Sequence, residues 1–286
     1  MKLERLILGT VQFGLHYGIN NSSGQTSEAE AHEILHYARA EGITTLDTAA
    51  AYGNSEEIIG SYHKEHGPFS IITKFDKHNG LSWKESIEQS IEKLNVEIVD
   101  FAMFHSFDDY IKSKGSLRAI VSKGKGKYFR KLGVSVYTNE ELESLLDDDR
   151  IELIQLPFNM FDNEHLRGDM LRKLKDKGKI IHTRSVFLQG LFFKEPNTLD
   201  SKFDGIKDEL TIVKKVAEQA EMTVNSLALN YVASKDYIDG VLIGVDSKNQ
   251  LEQNINALDA TIDEAAFKAI DKLKIKHIDL LNPSKW

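Results

Sequence analysis

The feature that most constrains the fold is a repeated alternation of short apolar runs with longer segments of helical periodicity. Eight runs across the 286 residues have the character of buried strands, and they are Leu6–Thr10, Ile43–Asp47, Ser70–Phe75, Val99–His105, Leu132–Val136, Leu153–Phe158, Lys179–Ser185 and Gly240–Val245. Repeated strand-then-helix order favours parallel strands joined by right-handed crossovers. Eight such units predict a closed (β/α)8 barrel, the TIM barrel of the α/β class.

No linker rich in proline, glycine or serine divides the chain, so we predict a single domain over residues 1–286. An open doubly wound sheet is the alternative fold. A dinucleotide-binding sheet of this kind typically carries a G-x-G-x-x-G motif after its first strand, and that motif is not present. Gly124-Lys125-Gly126 stands in a lysine-rich stretch with no strand before it, which indicates an exposed turn.

Several helix starts are marked by a serine or threonine followed three residues later by Glu or Gln, since each side chain can accept from a free N–H of the other's backbone. The pairs are Ser27 with Glu30, Ser82 with Glu85, Thr138 with Glu141, Ser247 with Gln250 and Thr261 with Glu264. Asn54 with Glu57 is expected to cap another helix. The basic stretch Lys112–Lys131 is predicted to be helical with an exposed charged face, and attraction of an anionic substrate is its alternative role.

Composition excludes several classes of function. The chain has no cysteine, which rules out disulfides, thiolate zinc sites and a thiol nucleophile. A net charge of −8 argues against general nucleic-acid binding. No apolar stretch approaches the roughly 20 residues that span a bilayer, and the charged N-terminus does not resemble a signal peptide. We therefore expect a cytoplasmic protein without nucleic-acid or membrane partners, and we predict no metal site.

Polar side chains stand at the ends of three neighbouring predicted strands. The segment Thr45–Gly53 reads TLDTAAAYG, in which Asp47 ends the second strand and Tyr52 follows in the loop. The third strand carries Lys74 near its end, and the fourth ends at His105. Each alone has a structural alternative: an ion pair, an interior histidine or a packing tyrosine. Because the active site of such a barrel lies at the C-terminal ends of its strands, the four together predict a site.

These four side chains support proton transfer to a carbonyl oxygen. A lysine beside an aspartate stays charged, and a cation near a phenol favours the phenolate. A free tyrosine titrates near pH ~10, so we expect Lys74 to lower the pKa of Tyr52 toward the working pH, where a general acid is most effective. His105 can donate a hydrogen bond to the substrate oxygen. None of these groups can donate a hydride, so reduction of a carbonyl requires a cofactor.

The order of these residues resembles the aldo-keto reductases. The resemblance runs through Gly9-Thr10, Phe13-Gly14, Asp47-Thr48-Ala49, Tyr52-Gly53, Ile72-Thr73-Lys74, Asp100 to His105, Gly133-Val134-Ser135, Gln155, Ser185, Gly190-Leu191, and Gly244 to Asn254. It implies an NAD(P)H-dependent enzyme that reduces an aldehyde or ketone to an alcohol, or catalyses the reverse. In this resemblance Tyr52 is the proton donor, Lys74 and Asp47 tune it, and His105 orients the carbonyl.

The resemblance also implies where the coenzyme is held. Ser135 and Gln155 would bind the nicotinamide carboxamide, the segment from Ser185 to Leu191 would wrap the pyrophosphate, and the segment from Gly244 to Asn254 would hold the adenosine. The candidate coenzyme-binding residues are Gly9, Thr10, Asp47, Ser135, Gln155, Arg184, Ser185, Gly190, Leu191, Gly244, Ser247, Gln250 and Asn254.

Three positions depart from the family pattern. Val136 stands where many relatives place a carboxamide-binding Asn, and Arg184 where many stack a Tyr on the nicotinamide. A guanidinium can lie flat on a ring, but it repels the cationic oxidised nicotinamide. Gln250 replaces the usual arginine for a 2′-phosphate, which leaves Lys248 as the nearby cation, with Asp246 beside this loop. The family majority favours NADPH, and NADH is the alternative.

Candidate substrate contacts lie in loops at the same end of the barrel, with ordinary loop packing as the alternative for each. They are Phe13, His16, Tyr17, Phe107 and Phe187. Trp286 is expected either to close over the site or to pin the tail. Two other functions stay open. One is a lyase with Lys74 as a Schiff-base nucleophile, which the neighbouring Asp47 disfavours, and the other is a nucleotide-sensing subunit of a larger assembly.

Overall fold

Eight parallel strands close into a barrel in the computed structural model, which describes residues 3–21, 24–75, 80–260 and 263–286. The strands are β1 (Leu6–Gly9), β2 (Thr45–Asp47), β3 (Ser70–Lys74), β4 (Val99–Phe104), β5 (Phe129–Ser135), β6 (Leu153–Pro157), β7 (Ile180–Arg184) and β8 (Gly240–Gly244). They pair in chain order, and β8 pairs with β1 to complete the ring. The predicted (β/α)8 barrel is therefore confirmed.

Helices connect the strands and cover the outside of the barrel. The α-helices are α1 (Val11–Gly14), α2 (Glu28–Ala40), α3 (Ser55–His66), α4 (Trp83–Leu94), α5 (Phe107–Ser113), α6 (Leu117–Gly124), α7 (Asn139–Glu143), α8 (Glu164–Asp176), α9 (Lys207–Gln219), α10 (Val224–Ala233), α11 (Lys248–Ala257) and α12 (Glu264–Asp271). Shorter 3-10 helices are Leu3–Arg5, Leu188–Phe193, Pro196–Thr198, Ser201–Ile206, Ile278–Leu281 and Pro283–Lys285. Within the described ranges, no helix has both the length and the apolar character needed to cross a membrane.

The apolar core divides into two clusters because successive side chains of a strand point to opposite faces. A small cluster of Ile7, Ile72, Met103 and Leu153 fills the barrel interior. A much larger cluster packs the outer faces of the strands against the helices. The filled interior gives the polar strand ends an apolar floor, so groups at the mouth are shielded from water on one side.

Most of the predicted helix starts are formed. Complete capping boxes join Ser82 with Glu85 and Thr138 with Glu141. The hydroxyls of Ser27 and Ser247 each accept from the backbone N–H three residues on. Such caps satisfy N–H groups that have no partner inside the helix.

Two sequence predictions about helices need correction, and a third falls outside the described residues. Asn54 precedes α3, but its side chain forms no cap and accepts instead from Gln25 Nε2 at 2.7 Å. The stretch Lys112–Lys131 is not one helix, since β5 begins at Phe129 and pairs with β4. The basic composition hid only the first residues of this strand, which the sequence predicted to begin at Leu132 and which pairing with β4 extends back to Phe129. The exposed turn expected at Gly124-Lys125-Gly126 lies slightly later, at residues 126–128, because Gly124 is the buried last residue of α6. Thr261 lies outside the described residues.

Candidate active site

The C-terminal ends of β2, β3 and β4 bring three polar side chains to one mouth of the barrel. Asp47 and Lys74 are the last residues of β2 and β3, and His105 directly follows β4. Tyr52 lies in the loop between β2 and α3, and its ring packs edge-on against His105 with centroids 5.9 Å apart. The structure therefore gathers the four side chains of the predicted tetrad at one place.

A buried ion pair between Lys74 and Asp47 forms the base of the site. Lys74 Nζ lies 2.6 Å from Asp47 Oδ1, and the two side chains are 2% and 4% exposed. Nζ also donates to the Thr48 carbonyl oxygen at 2.8 Å. Burial acts to lower the pKa of Lys74, but Asp47 and then Tyr52 outweigh it and raise that pKa above its usual value. The lysine is thus a fixed cation at the site.

Lys74 lies close to the phenol of Tyr52, with Nζ 5.1 Å from the ring centroid. Burial raises the pKa of Tyr52, and Lys74 opposes that rise without cancelling it. The expectation that Lys74 brings this pKa below its usual value is therefore wrong, because the loss of water around the phenol was not visible in the sequence. Tyr52 keeps its proton at neutral pH, and Lys74 is placed to stabilise the phenolate once the proton has left.

The loop that carries Tyr52 is held by close backbone contact with α1. A Cβ added to Gly14 would overlap the carbonyl oxygen of Tyr52, and one added to Gly53 would overlap the carbonyl oxygen of Gly14. Gly53 also has a φ of +54°, a conformation that glycine adopts without strain. Both glycines are therefore required for the position of Tyr52.

Thr10 and Ser55 support the end of β2. The Thr10 hydroxyl donates to the Asp47 carbonyl oxygen at 3.0 Å, and Ser55 Oγ lies 2.9 Å from that hydroxyl. Thr10 is fully buried, so its hydroxyl positions Asp47, and its role in coenzyme binding stays a prediction. Sequence reasoning missed Ser55, because it sits at an ordinary first position of a helix.

The ends of β5 and β6 place Ser135 beside Gln155, which are partners in the strand register. Gln155 Nε2 donates to Asp47 Oδ2 at 2.7 Å, the carboxylate oxygen that Lys74 leaves free. The carboxylate is thus bound on both sides, and the Gln155 amide is oriented by the ion pair. Sequence reasoning placed Gln155 at the coenzyme and missed this contact.

Arg184 ends β7 and lies over an aromatic ring. Its guanidinium carbon is 4.2 Å from the centroid of Tyr137, and its Nη2 donates to the Val136 carbonyl oxygen at 3.2 Å. The charge of Arg184 also contributes to lowering the pKa of Tyr52 against the effect of burial. Sequence reasoning missed Tyr137, although its position just beyond the end of β5 was a usable signal.

The segment after Arg184 has an unusual backbone. The φ angles of Ser185, Leu188 and Gln189 are +60°, +46° and +54°, and Gly190 follows with +91°. Non-glycine residues rarely adopt this region, and such strain persists where the surroundings impose it, often at ligand-binding sites. Leu191 is fully buried, so its side chain serves packing.

The loop after α1 imposes part of this conformation. Asn20 Nδ2 donates to the Gly190 carbonyl oxygen at 2.7 Å, and the Ile19 N–H donates to the Gln189 carbonyl oxygen at 3.2 Å. Gln189 Nε2 in turn donates to the Tyr17 hydroxyl at 3.0 Å. Two loops from opposite halves of the sequence therefore meet at the mouth.

Gln12, a residue of α1, carries an unsatisfied polar atom close to the end of β8. Gln12 is 8% exposed, and its Oε1 has no hydrogen-bond partner among the described residues. A Cβ on Gly244 would come within 2.7 Å of its amide nitrogen. A buried acceptor without a partner is costly. This acceptor and the bare glycine beside it fit a bound group with hydrogen-bond donors, in the region where the coenzyme is expected.

Acidic side chains surround the start of α11. The Asp246 N–H donates to Gln250 Oε1 at 2.9 Å, and Asp246 Oδ1 accepts from Asn21 Nδ2 at 3.1 Å. Lys248 Nζ lies 4.0 Å from Glu33 Oε2, so that carboxylate partly neutralises it. Ser247 caps the helix, and Asn254 is 7% exposed on its inner side.

The candidate substrate residues have different surroundings. Phe13 is fully buried, while His16 and Tyr17 are exposed in the loop after α1. Phe107 packs on Tyr110 and Phe187 on Phe193, each at about the distance of ordinary ring contacts. Trp286 packs edge-on against Phe203 with centroids 5.0 Å apart, so it pins the tail. Among the described residues, no cluster of His, Cys, Asp and Glu could hold a metal ion.

The geometry places a buried ion pair, a phenol and an imidazole at the mouth of an eight-stranded barrel, and comparison with known proteins identifies the family. The model of the Aldo/keto reductase family matches residues 5–275. Aldo-keto reductase str7 of Strobilurus tenacellus is 26% identical over 86% of this chain and 82% of its own length. A probable voltage-gated potassium channel subunit beta of Arabidopsis thaliana is 25% identical over 89% of this chain and 88% of its own length.

A solved structure has the same fold. The holo form of aldo-keto reductase AKR11C1 from Bacillus halodurans superimposes with a TM-score of 0.74 at 21% identity, over 94% of this chain and 92% of that one. The chain belongs to the aldo/keto reductase family. It is accordingly an NAD(P)-dependent oxidoreductase.

Proposed function

We propose that the protein reduces the carbonyl group of an aldehyde or ketone, or oxidises the corresponding alcohol, with Tyr52 as the proton donor. The observation that carries this proposal is the buried Lys74–Asp47 pair beside the Tyr52 phenol, with His105 against the same ring. The bound coenzyme supplies the hydride. His105 holds the carbonyl oxygen toward Tyr52, which gives it the proton.

The charges suit the reductive direction. A phenol whose pKa is raised by burial is protonated at neutral pH, so it is ready to donate. When the proton leaves, Lys74 stabilises the negative charge that develops on the phenol oxygen, in a site shielded from water. Oxidation needs the phenolate as a base, so we expect the oxidation rate to rise with pH over a range in which the reduction rate is steady.

Replacement of Tyr52 by Phe tests the proton donor. Because a positioned general acid contributes about 10²–10⁴-fold, Tyr52→Phe should lower kcat by at least roughly that much while coenzyme binding stays near the wild-type value. Tyr128→Phe is the matched control, since Tyr128 bonds Glu88 near the other end of the barrel. Reduction by Tyr52→Phe at the wild-type rate would refute the role of Tyr52.

We also propose that NADH is the preferred coenzyme, against the NADPH favoured by the family majority. A 2′-phosphate needs a cation or a fork-like donor. Where the 2′-phosphate is expected, the Asp246 N–H donates to Gln250 Oε1, and Lys248 lies near the Glu33 carboxylate. The adenosine ribose of NADH, which has a 2′-hydroxyl there, avoids repulsion by Asp246.

Fluorescence titration with the two coenzymes side by side tests this preference. We expect NADH to bind more tightly than NADPH, and we expect Asp246→Asn to reduce the difference between the two affinities. Glu252→Gln, which removes a charge from an exposed position of α11, is the control and should leave the ratio unchanged. Tighter binding of NADPH by the wild-type protein would overturn the proposal.

A coenzyme-sensing subunit is the second candidate function, and the potassium-channel relatives favour it. Coenzyme binding without turnover on a broad panel of aldehydes would support it over the first. The raised pKa of Lys74, which Asp47 and Tyr52 maintain against burial, disfavours the Schiff-base lyase because a charged amine is not a nucleophile. We propose a cytoplasmic location on the lack of cysteine.

A further inference from the structure

Arg184 is a half-buried cation at the mouth of the barrel. It ends β7 in register with Pro157, and its neighbour Thr183 points to the outside of the barrel, where its hydroxyl bonds the Gly240 carbonyl. The Tyr137 ring lies under one side of the guanidinium, and the Val136 carbonyl oxygen accepts a single hydrogen bond from Nη2. Among the described residues, no other hydrogen-bond acceptor meets this five-donor fork.

No carboxylate of the described residues forms an ion pair with Arg184, although acids are more numerous than bases in this chain. Asp162 is near enough to feel its charge: burial raises the pKa of Asp162, and Arg167 and Arg184 oppose that rise. Arg167 already binds both carboxylate oxygens, with Nε 2.5 Å from Oδ1 and Nη2 3.0 Å from Oδ2. A cation out of full contact with water, without its own counter-charge, is costly.

The charge of Arg184 also reaches two phenols of this mouth. It acts to lower the pKa of both Tyr52 and Tyr17 against the effect of burial. Tyr137 completes the set from the end of β5. A guanidinium stacked on a ring in this way can still donate at its edge to an oxyanion, and a bidentate arginine–oxyanion contact is among the strong ones in proteins.

We propose that Arg184 binds an oxyanion substituent of the substrate, so that the natural substrate is a carbonyl compound carrying a carboxylate or a phosphate. This inference rests on the carbonyl-reducing function proposed above. An anionic group held by Arg184 fixes the orientation of the substrate while its carbonyl meets Tyr52 and His105. Specificity for a charged group is sharp in such a site because a neutral analogue leaves the guanidinium without its counter-charge.

A matched set of aldehydes tests the inference on the coenzyme-loaded protein. The probes are 4-formylbenzoate, 4-formylphenyl phosphate and the neutral 4-formylbenzamide. The first measurement is the ratio of kcat/KM for each anion to that of the amide. The second is calorimetric binding of the probes to the protein saturated with oxidised coenzyme, which requires no turnover. The two anionic probes distinguish a carboxylate from a phosphate as the preferred group.

We expect the wild-type protein to prefer at least one anionic probe by about tenfold or more in both measurements. Arg184→Gln should abolish the preference, and Arg184→Lys should keep part of it, since lysine retains the charge without the fork. Arg130→Gln is the matched control because Arg130 is exposed at the opposite end of β5, and it should keep the full ratio. Near-UV circular dichroism establishes that each variant is folded.

Equal affinity of the wild-type protein for the amide and both anions would overturn the inference without any variant. The same preference in Arg184→Gln as in the wild type would also overturn it. A change only in the relative affinity for reduced and oxidised coenzyme would overturn it too, because Arg184 would then act on the nicotinamide. Anion-selective binding without reduction of any probe would support Arg184 as an anion site and count against the proposed reductase function instead.

Discussion

The buried ion pair at the base of the site makes a quantitative prediction for Asp47→Asn. The substitution keeps the size of the side chain but leaves the Lys74 ammonium, which is 2% exposed, without its counter-charge. Breaking a buried pair by removing one partner costs about 3–5 kcal/mol. At about 2–4 °C for each kcal/mol in a protein of this size, the midpoint of thermal unfolding should fall by roughly 6–20 °C.

The stability of Asp47→Asn should change with pH in a definite direction. In the wild type the pKa of Lys74 is raised above its unfolded value of 10.5, so its contribution is fully present below that pH and is lost as the pH rises through the folded pKa. In Asp47→Asn the effect of Asp47, the largest that opposes burial, is gone, and we expect burial to outweigh Tyr52 and lower the lysine pKa. The folded protein then binds fewer protons than the unfolded chain, and the variant should recover stability as the pH rises from 7 to 9.

Equilibrium urea denaturation at pH 7 and pH 9, followed by circular dichroism and by fluorescence, measures both effects. The double variant Asp47→Asn/Lys74→Met removes both charges and should be more stable than Asp47→Asn alone. Asp147→Asn is the control: it breaks an ion pair with Lys177 in which the side chains are 83% and 54% exposed, and it should have little effect. A loss below about 1 kcal/mol in Asp47→Asn at pH 7 would refute the reasoning.

Two further predictions concern the support of the site. Glu56 accepts a hydrogen bond at 2.7 Å from the hydroxyl of Thr73, the residue before Lys74. Burial raises the pKa of the Glu56 carboxyl above 4.5, so this carboxyl lowers stability as the pH rises above 4.5. Glu56→Gln should reduce that loss of stability in urea titrations, and Glu57→Gln, at an exposed position, should not. Gly14→Ala should lower stability by roughly 1–3 kcal/mol and reduce kcat, because the added methyl overlaps the Tyr52 carbonyl. Gly115→Ala, with open space around it, serves as its control, and equal kcat values for the two variants would count against the argument.

The sequence by itself determined the barrel, and it named the four side chains that the structure brings together at the barrel mouth. Apolar runs, helical periodicity and caps such as Ser82 with Glu85 are local signals, and their repetition in one order leaves few parallel topologies. Polar residues at strand ends, such as Asp47, Lys74 and His105, could be assigned to one mouth because parallel strands end together. The same local signals failed at the start of β5, where basic residues hid the first part of the strand from Phe129 to Lys131.

Only the tertiary structure decided how the charges of the site act. The pKa of Tyr52 depends on how much water the fold removes from the phenol, and no local pattern reports that. The contact of Gln155 with Asp47 joins residues 108 positions apart, and Arg184 at the end of β7 meets Tyr137 beyond β5, across the single strand β6. Such pairings depend on which side chains share a space after the barrel has closed. The residues of a site can be predicted from the sequence, whereas their protonation states and their hydrogen-bond partners depend on burial and distance in the folded chain.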